Sequence, residues 1–412
     1  MRVIVIIGTG VAGSSAANTL RAEGFDGRIV MIGEEAYAPY RRPTLSKDLL
    51  AGTTAIEKAL LHPAGHWAAN DIELRLSTQV TTLNTATRIL SLDTGETISY
   101  DTLLLATGGR PRIVAHRAGI RMHQLRGVAD VESLRTAILD AGSLLVIGAG
   151  LIGMEVAATA RELGAAVTIL EAGVRPLSRF CPREAADYLV GLHRAHGVDI
   201  QADVQLAAIE ESEDSVIATD ASGRTWSAAM ALSAVGMLPN TDMAAAAGID
   251  VDNGITIDEQ HRTSAPAVFA AGDVANIFDP VAGRRTRHEN WNSALAQGDR
   301  AARSILGRPL QPVEVPWGWT SQYGKSLQFA GVQTQDSEHV VLGSVPDGDF
   351  TILMCRNGSL VGATAMKRPK DIRIARTLIR EGSSLNRDVL GESPSLSDYI
   401  ADRQRLETAS PG

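Results

Sequence analysis

One unit of sequence, used twice, restricts this chain more than anything else in it. Arg2 to Ile7 is a β-branched run that ends directly on Gly8-Thr9-Gly10-Val11-Ala12-Gly13, and Ser14 to Arg21 is rich in helix formers. A second run, Arg28 to Gly33, closes with Glu34. Strand, glycine turn, helix, strand and terminal acid form the context in which GxGxxG carries meaning. In such a unit Gly8 takes the tight turn, Gly10 lets the backbone approach a pyrophosphate, and Gly13 lets the helix pack close to its strand. The helix start then presents N–H groups to phosphates, and Glu34 is placed to accept hydrogen bonds from a ribose. The unit returns as Ser143 to Ile147, Gly148-Ala149-Gly150-Leu151-Ile152-Gly153, Met154 to Leu163, and Val167 to Leu170 closed by Glu171. Two copies call for two dinucleotides, or one held twice. Glu171 would bond the 2′-hydroxyl of NAD and repel the 2′-phosphate of NADP, with Arg175 close by in sequence.

The size and composition bound the rest. A chain of 412 residues implies two or three domains. Hydrophobic content of 44%, charged content of 21% and 39 glycines fit a turn-rich α/β protein. No apolar run reaches a membrane span, and the N-terminus enters its strand too soon for a signal peptide. The two cysteines, Cys181 and Cys355, lie far apart. That spacing argues for a cytoplasmic location and against a redox disulfide or a metal site. A net charge of −8 gives no general attraction to nucleic acid. The tail after about Ser393 is expected to be loosely held.

Between the units, Tyr37 to Lys47 carries two prolines and Ser46 before Lys47, a loop leading into a helix. Residues 72 to 100 alternate, with turn signals at Asn84 and Asp93-Thr94-Gly95, and predict short antiparallel strands with Val80 inside one. Asp101 to Ala106 reads as a buried strand ending at Thr107-Gly108-Gly109. Later, Val268 to Ala271 delivers Gly272-Asp273 to a carboxyl strand end, where open α/β sheets bind ligands. An Asp after Gly is otherwise an N-cap. A helix carries Trp291. Beyond Leu310, Pro316 to Tyr323 concentrates aromatics in a chain with only 4% of them. Short strands follow, then a helix over Lys370 to Glu381, which together predict a third, α+β domain.

The order of these segments resembles the two-dinucleotide flavoproteins of the glutathione-reductase fold. Within them, Arg42-Pro43-Thr44-Leu45-Ser46-Lys47, Arg287-His288-Glu289-Asn290-Trp291 and Trp317 to Tyr323 resemble the FAD-dependent NADH:ferredoxin reductases, over almost the whole chain. The resemblance implies two Rossmann-like domains plus a C-terminal α+β domain. FAD would occupy a split domain of 1–111 and 238–308, NAD an inserted domain of 112–237, and residues 309–412 would form the third. It implies FAD contacts at Gly8, Gly10, Ala12, Gly13, Glu34, Arg42, Lys47 and Val80, at Ala106, Thr107, Gly108 and Arg126, and at Gly272, Asp273, Glu289, Asn290, Trp291 and Trp319. NAD contacts would be Gly148, Gly150, Leu151, Ile152, Gly153, Glu155, Glu171 and Gly236. Lys47 should lie beside the isoalloxazine ring, paired with Glu155. The chain departs from the family pattern at Thr9, at Gly318 (usually aromatic), at Ser321 (usually acidic) and at Trp291. An indole at Trp291 could tune the flavin or shield it from oxygen.

By the same resemblance NADH would deliver hydride to FAD, and electrons would leave singly for a small acidic [2Fe–2S] ferredoxin that feeds a cytochrome P450 or a ring-hydroxylating dioxygenase. Such transfer needs positioning and a tuned cofactor rather than an activated nucleophile. Sister disulfide reductases and peroxidases carry a reactive cysteine at the flavin-side loop, whereas Arg41 to Lys47 has none. Lys367, Arg368, Lys370, Arg373 and Arg376, with Arg284 and Arg285, form a basic set that could steer an acidic carrier. A monomer or weak dimer is expected. Alternatives within reach of the same motifs are a rubredoxin reductase, a carrier-independent NADH oxidase or quinone reductase, and a signalling flavoprotein like apoptosis-inducing factor.

Overall fold

The computed structural model describes residues 1–114, 121–279, 282–332, 337–385, 390 and 395–409, with side chains up to residue 402. The chain divides into two compact units. Unit 1 comprises Met1–Thr44, Thr54–Arg110 and Met237–Glu314, and unit 2 comprises Leu45–Thr53, Pro111–Gly236 and Val315–Gly412.

Unit 1 is built on five parallel strands in the spatial order Val268–Ala270, Thr102–Leu105, Val3–Ile7, Arg28–Ile32, Ile72–Arg75. The inner strands are continuous apolar runs because both of their faces are covered. From Val3–Ile7 the chain crosses to Arg28–Ile32 on one side, while Thr102–Leu105 pairs on the other. The carboxyl end of Val3–Ile7 is therefore a topological switch point, where such sheets leave a crevice. Helix Val11–Ala22 covers one face together with helix Trp291–Ile305. A three-stranded antiparallel sheet, Val80–Asn84, Ile89–Leu92 and Thr97–Ser99, packs into the core on the other face. Ile72–Arg75 corrects the reading of 72 to 100 as wholly antiparallel, since it is the parallel edge strand of the main sheet. Alternation over four residues reports exposure of two faces, not strand direction.

Unit 2 repeats the design. Its parallel strands run Asp199–Gln201, Ala166–Leu170, Ser143–Ile147, Met230–Ser233, Met122–His123. Helix Leu151–Glu162 follows Ser143–Ile147. Both glycine-loop helices begin directly after the middle glycine, three residues before the helix-forming stretches that announce them. Gly13 and Gly153 lie inside these helices, where low glycine propensity hides the true start. The C-terminal part is a five-stranded antiparallel sheet ordered Trp317–Gln322, Lys325–Gly331, Ser359–Met366, Asp349–Arg356, Glu338–Ser344. Helix Pro369–Arg380 packs on it.

The tail is not loose as expected from its composition. Helix Leu396–Ala409 puts Leu396 and Tyr399 fully inside the core of the C-terminal part, with Ile400 packed against it. The spacing i, i+3, i+4 supplies an apolar stripe that polar and Gly/Ser content had masked. Ser393 itself and the last three residues lie outside the described residues.

Candidate functional site

The two glycine loops are geometrically alike. Gly8 has φ +116°, and a Cβ there would lie 2.1 Å from the Ala106 carbonyl oxygen; Gly148 has φ +103°, with Ala234 O at 2.5 Å. A Cβ on Gly13 would lie 2.0 Å from Gly8 O, and one on Gly153 2.0 Å from Gly148 O. The outer glycines are thus consumed by the protein's own packing. The middle ones are not. A Cβ on Gly10 would meet nothing within 4 Å, and one on Gly150 would meet only a Phe180 carbon at 3.8 Å. Each middle glycine opens a helix whose first turn holds no acidic residue and no side-chain cap. Open space and uncapped helix N-termini whose first turns carry no acid fit a bound pyrophosphate.

In unit 1 the expected FAD residues gather at adjacent strand ends. Ala106, Thr107 and Gly108 follow Thr102–Leu105, and Gly272 and Asp273 follow Val268–Ala270. Thr107 Oγ1 donates to Asn240 O at 2.9 Å, and Asn240 Nδ2 donates back to Thr107 O at 2.9 Å. Gly272 abuts Ala12, whose Cβ would be 2.9 Å from an added one, and its N–H donates to Gln297 Oε1 at 2.9 Å. Asp273 sits in a turn before strand Ala275–Asp279 and caps no helix. Its carbonyl accepts from Arg287 Nη1 at 3.0 Å, and Arg287 also pairs with Glu289 at 2.7 Å. Asn290 is the N-cap of helix Trp291–Ile305, accepting from Ser293 N–H at 2.8 Å, and Trp291, half-buried, is that helix's first residue. Val80 opens its strand, half-buried.

Glu34 is exposed just past the end of Arg28–Ile32. Its neighbour Glu35, which sequence reading passed over, is the structural acid of this corner. It accepts from Tyr40 OH at 2.5 Å and pairs with Arg42, whose guanidinium stacks on the Tyr40 ring 5.2 Å away. Burial acts to lower the Arg42 pKa, but Tyr40 and Glu35, with Asp273, outweigh it and hold the group above the ordinary arginine value. The doubled acid Glu34-Glu35 was the available signal.

Unit 2 holds the second acid and the lysine. Glu171 Oε2 accepts from Ala149 N–H and Oε1 from Gly173 N–H, both at 2.7 Å, so it braces the second glycine loop. Arg175 donates to Cys181 O at 3.4 Å. Leu151 and Ile152 are the first two helical residues, Ile152 well exposed. Gly236 has φ +102° and open space where a Cβ would stand. Arg126 N–H donates to Asp130 Oδ2 at 2.7 Å at the start of helix Val128–Ala141.

Lys47 Nζ lies 2.6 Å from Glu155 Oε2, and the Ser46 hydroxyl donates to the same oxygen at 2.5 Å. Glu155 Oε1 accepts from Thr320 Oγ1 at 2.7 Å. Thr159 Oγ1 donates to Ser46 O at 2.8 Å, pinning the Lys47 loop to helix Leu151–Glu162. Leu45–Leu49 is a π-type helical turn broken at Lys47, with φ −123° and ψ −107°. Trp319, half-buried, tilts against Trp317 with ring centres 6.0 Å apart. Ser46 and Thr320 were both missed in the sequence, though each stands inside a segment already singled out.

The basic set is partly engaged. Arg368 pairs with Asp349 at 2.5 Å, Arg376 lies over the Trp317 ring, and Arg285, in unit 1, donates to Ile257 O and Asn276 O. Lys367, Lys370 and Arg373 are exposed. Both cysteines are buried, and burial pushes the Cys181 thiol up to about 12. No helix among the described residues is long and apolar enough to cross a membrane.

Comparison with known proteins adds lineage to this geometry. Residues 2–298 match the family described as pyridine nucleotide-disulphide oxidoreductase, and residues 317–399 match the reductase C-terminal family. The chain is 38% identical to the anthranilate 1,2-dioxygenase system ferredoxin–NAD(+) reductase component of Burkholderia cepacia, over 92% of this chain and 94% of that one. It is 34% identical to putidaredoxin reductase of Pseudomonas putida, over 97% and 96%. Among solved structures, the covalent putidaredoxin reductase–putidaredoxin complex superposes with a TM-score of 0.92 at 33% identity, covering 97% of this chain and 98% of that one.

Proposed function

The chain belongs to the pyridine nucleotide-disulphide oxidoreductases, among their ferredoxin–NAD(+) reductases, and from that premise we propose that it passes electrons from NADH through FAD to a [2Fe–2S] ferredoxin serving a cytochrome P450 or a ring-hydroxylating dioxygenase. The observation that carries the reading is the pair of glycine loops whose outer positions are packed shut and whose middle positions stand open. One chain with two such loops is equipped for two dinucleotides.

FAD, when bound, supplies a centre that takes two electrons together as hydride and gives them up one at a time. The remaining tasks fall to this chain's residues. We assign FAD to unit 1, with Gly10 and the start of helix Val11–Ala22 at its pyrophosphate and Glu34 at its ribose. NAD is assigned to Gly150, the start of helix Leu151–Glu162, and Glu171. Arg42 is held in place by Glu35 and Tyr40, which raise its pKa against the opposing effect of burial. Lys47 is the cation the family pattern assigns to the isoalloxazine, and Glu155 fixes its ammonium. With both thiols buried and no cysteine in the Arg41 to Lys47 loop, dithiol exchange has no site among the described residues.

The test is NADH-driven cytochrome c reduction by the purified yellow protein, with and without a panel of [2Fe–2S] ferredoxins. Turnover that rises strongly with one ferredoxin supports the reading. Flavin that reduces with NADH while every ferredoxin leaves turnover unchanged would overturn it in favour of a carrier-independent reductase.

A further inference from the structure

Behind the lysine–glutamate pair lies a line of polar side chains with no role in the assignments above. Glu155 Oε1 accepts from Thr320 Oγ1 at 2.7 Å; Thr320 Oγ1 in turn accepts from Gln322 Nε2 at 2.9 Å. Gln322 Oε1 is 2.7 Å from His193 Nε2, and the Tyr323 hydroxyl is 3.3 Å from His193 Nδ1. Tyr323 stacks on the exposed His196, ring centres 3.8 Å apart. Three elements contribute: helix Leu151–Glu162, strand Trp317–Gln322, and helix Arg183–Ala195.

Four of these groups are buried, with relative exposures of 4% for Glu155, 1% for Thr320, 2% for Gln322 and 0% for His193. Thr320 and Gln322 stand two apart on one face of the strand, so both point inward. Aliphatic side chains would pack such a spot more favourably than an amide and an imidazole, which must be fully satisfied to be tolerated. The direction of the bonds is also determined. An amide oxygen only accepts, so His193 carries its proton on Nε2, and its Nδ1 is left to accept from Tyr323. Gln322 then spends an N–H on Thr320, and Thr320 spends its only hydrogen on Glu155. Every donor points toward the carboxylate. An amide in the middle makes the line unsuited to conducting protons and well suited to polarising and orienting one end. Burial lowers the His193 pKa to about 4, which keeps the imidazole neutral and the direction constant at physiological pH.

We propose that Thr320, Gln322 and His193 are positioning residues for the flavin reaction: they hold Oε1 of Glu155, so that Oε2 is reserved for Lys47 and Ser46. The proposal rests on the reading that Lys47 and Glu155 serve the flavin. Around the carboxylate, Lys47 and Ser46 face it from the Leu45–Leu49 turn and Thr320 from strand Trp317–Gln322, and removal of Thr320 takes away the one of these donors that holds Oε1.

The experiment uses the full-length, FAD-loaded protein with Thr320→Val, Thr320→Ser and Gln322→Leu, beside Glu155→Gln. Stopped-flow reduction by NADH is measured against pH, and the midpoint potential of the bound flavin and the melting temperature are measured for each. Thr320→Val moves the acid limb of the pH–rate profile upward by about one unit or more, the scale of one hydrogen bond to a charged group, and displaces the potential; Thr320→Ser restores both. Gln322→Leu, which does not touch Glu155, moves the limb in the same direction by less, and it carries the test if Thr320→Val fails to load FAD. A merely structural role lowers the melting temperature and leaves limb and potential where they were, and that result overturns the proposal. If Glu155→Gln shifts them and the chain variants do not, only the positioning role falls. If Glu155→Gln also leaves both unchanged, the flavin role of the Lys47–Glu155 pair falls with it.

Discussion

Replacing Glu171 by Arg should convert a preference for NADH into one for NADPH. Glu171 stands at the carboxyl end of strand Ala166–Leu170, half-buried, with its oxygens turned onto Ala149 N–H and Gly173 N–H. A carboxylate there repels a 2′-phosphate. Two unit charges 4 Å apart interact by about 4 kcal/mol at an effective dielectric of 20 and about 1 kcal/mol in water. A half-buried group lies between these limits, so removing the charge with Glu171→Gln is worth about 1 to 2 kcal/mol. Reversing it with Arg is worth about twice that, or roughly 30- to 1000-fold in the ratio of kcat/KM for the two nucleotides. The absolute rates change differently from the ratio. Both variants surrender at least one hydrogen bond that braces the glycine loop, at about 1 kcal/mol or more each, so NADH should lose about tenfold even where NADPH gains. The assay is paired kinetics of flavin reduction with NADH and NADPH at fixed ionic strength, because an exposed phosphate contact weakens with salt. A ratio that moves less than about threefold in both variants would mean that Glu171 only braces the loop and that another group reads the ribose.

Three further expectations come from the same geometry. Gly8→Ala places a Cβ 2.1 Å from Ala106 O at φ +116°, so the apoprotein itself should fail to fold, whereas Gly10→Ala meets no protein atom and should give a normally folded apoprotein that binds FAD weakly; circular dichroism and FAD titration of the two apoproteins decide it. Burial raises both thiols, Cys181 to about 12, so the native protein should release no thiol rapidly to a disulfide reagent at pH 8 and two after denaturation. His193 and His261, both fully buried, have folded-state pKa values lowered by burial to about 4 from 6.5. The unfolded chain takes up these protons first, so stability is complete above about pH 6.5 and declines as pH falls toward 4, by at most about 3 kcal/mol per histidine. His261→Leu should flatten that decline in melting temperature, and an unchanged slope would show that the imidazole is not neutral in the folded protein.

What the sequence made legible was whatever it encodes locally. Gly13 and Gly153 are required by contact with the first glycine of their own loops, so the spacing survives as a motif even though Gly8 and Gly148 themselves meet Ala106 and Ala234 far along the chain, and strand, turn, helix and acid can be read in line. Strand direction in Ile72–Arg75 and the apolar stripe of helix Leu396–Ala409 were less accessible, because four alternating residues and a polar tail are compatible with more than one partner. Least accessible were hydrogen-bond partners. Ser46 and Thr320 reach Glu155 across 109 and 165 residues of chain, and nothing in a Ser or a Thr announces which carboxylate it will meet.

That distance explains why Glu155 matters more than its place two residues past a glycine motif suggests. Helix Leu151–Glu162 starts at the loop assigned to NAD, and on its buried side it holds the Lys47 turn through Glu155 and Thr159, and the C-terminal sheet through Glu155 again. A short, fully helical element with closely packed Ala and Val on its core face is stiff, so displacement of its first turn is felt at its fifth residue. The loop assigned to NAD and the Lys47 ammonium are therefore joined through one helix, with the Ser46, Thr320 and Gln322 hydrogen bonds completing the contacts around Glu155. A chain that must accept two electrons together and part with them singly has reason to keep that link polar, since an apolar contact at Glu155 would hold the helix equally well and leave the lysine's charge without a fixed address.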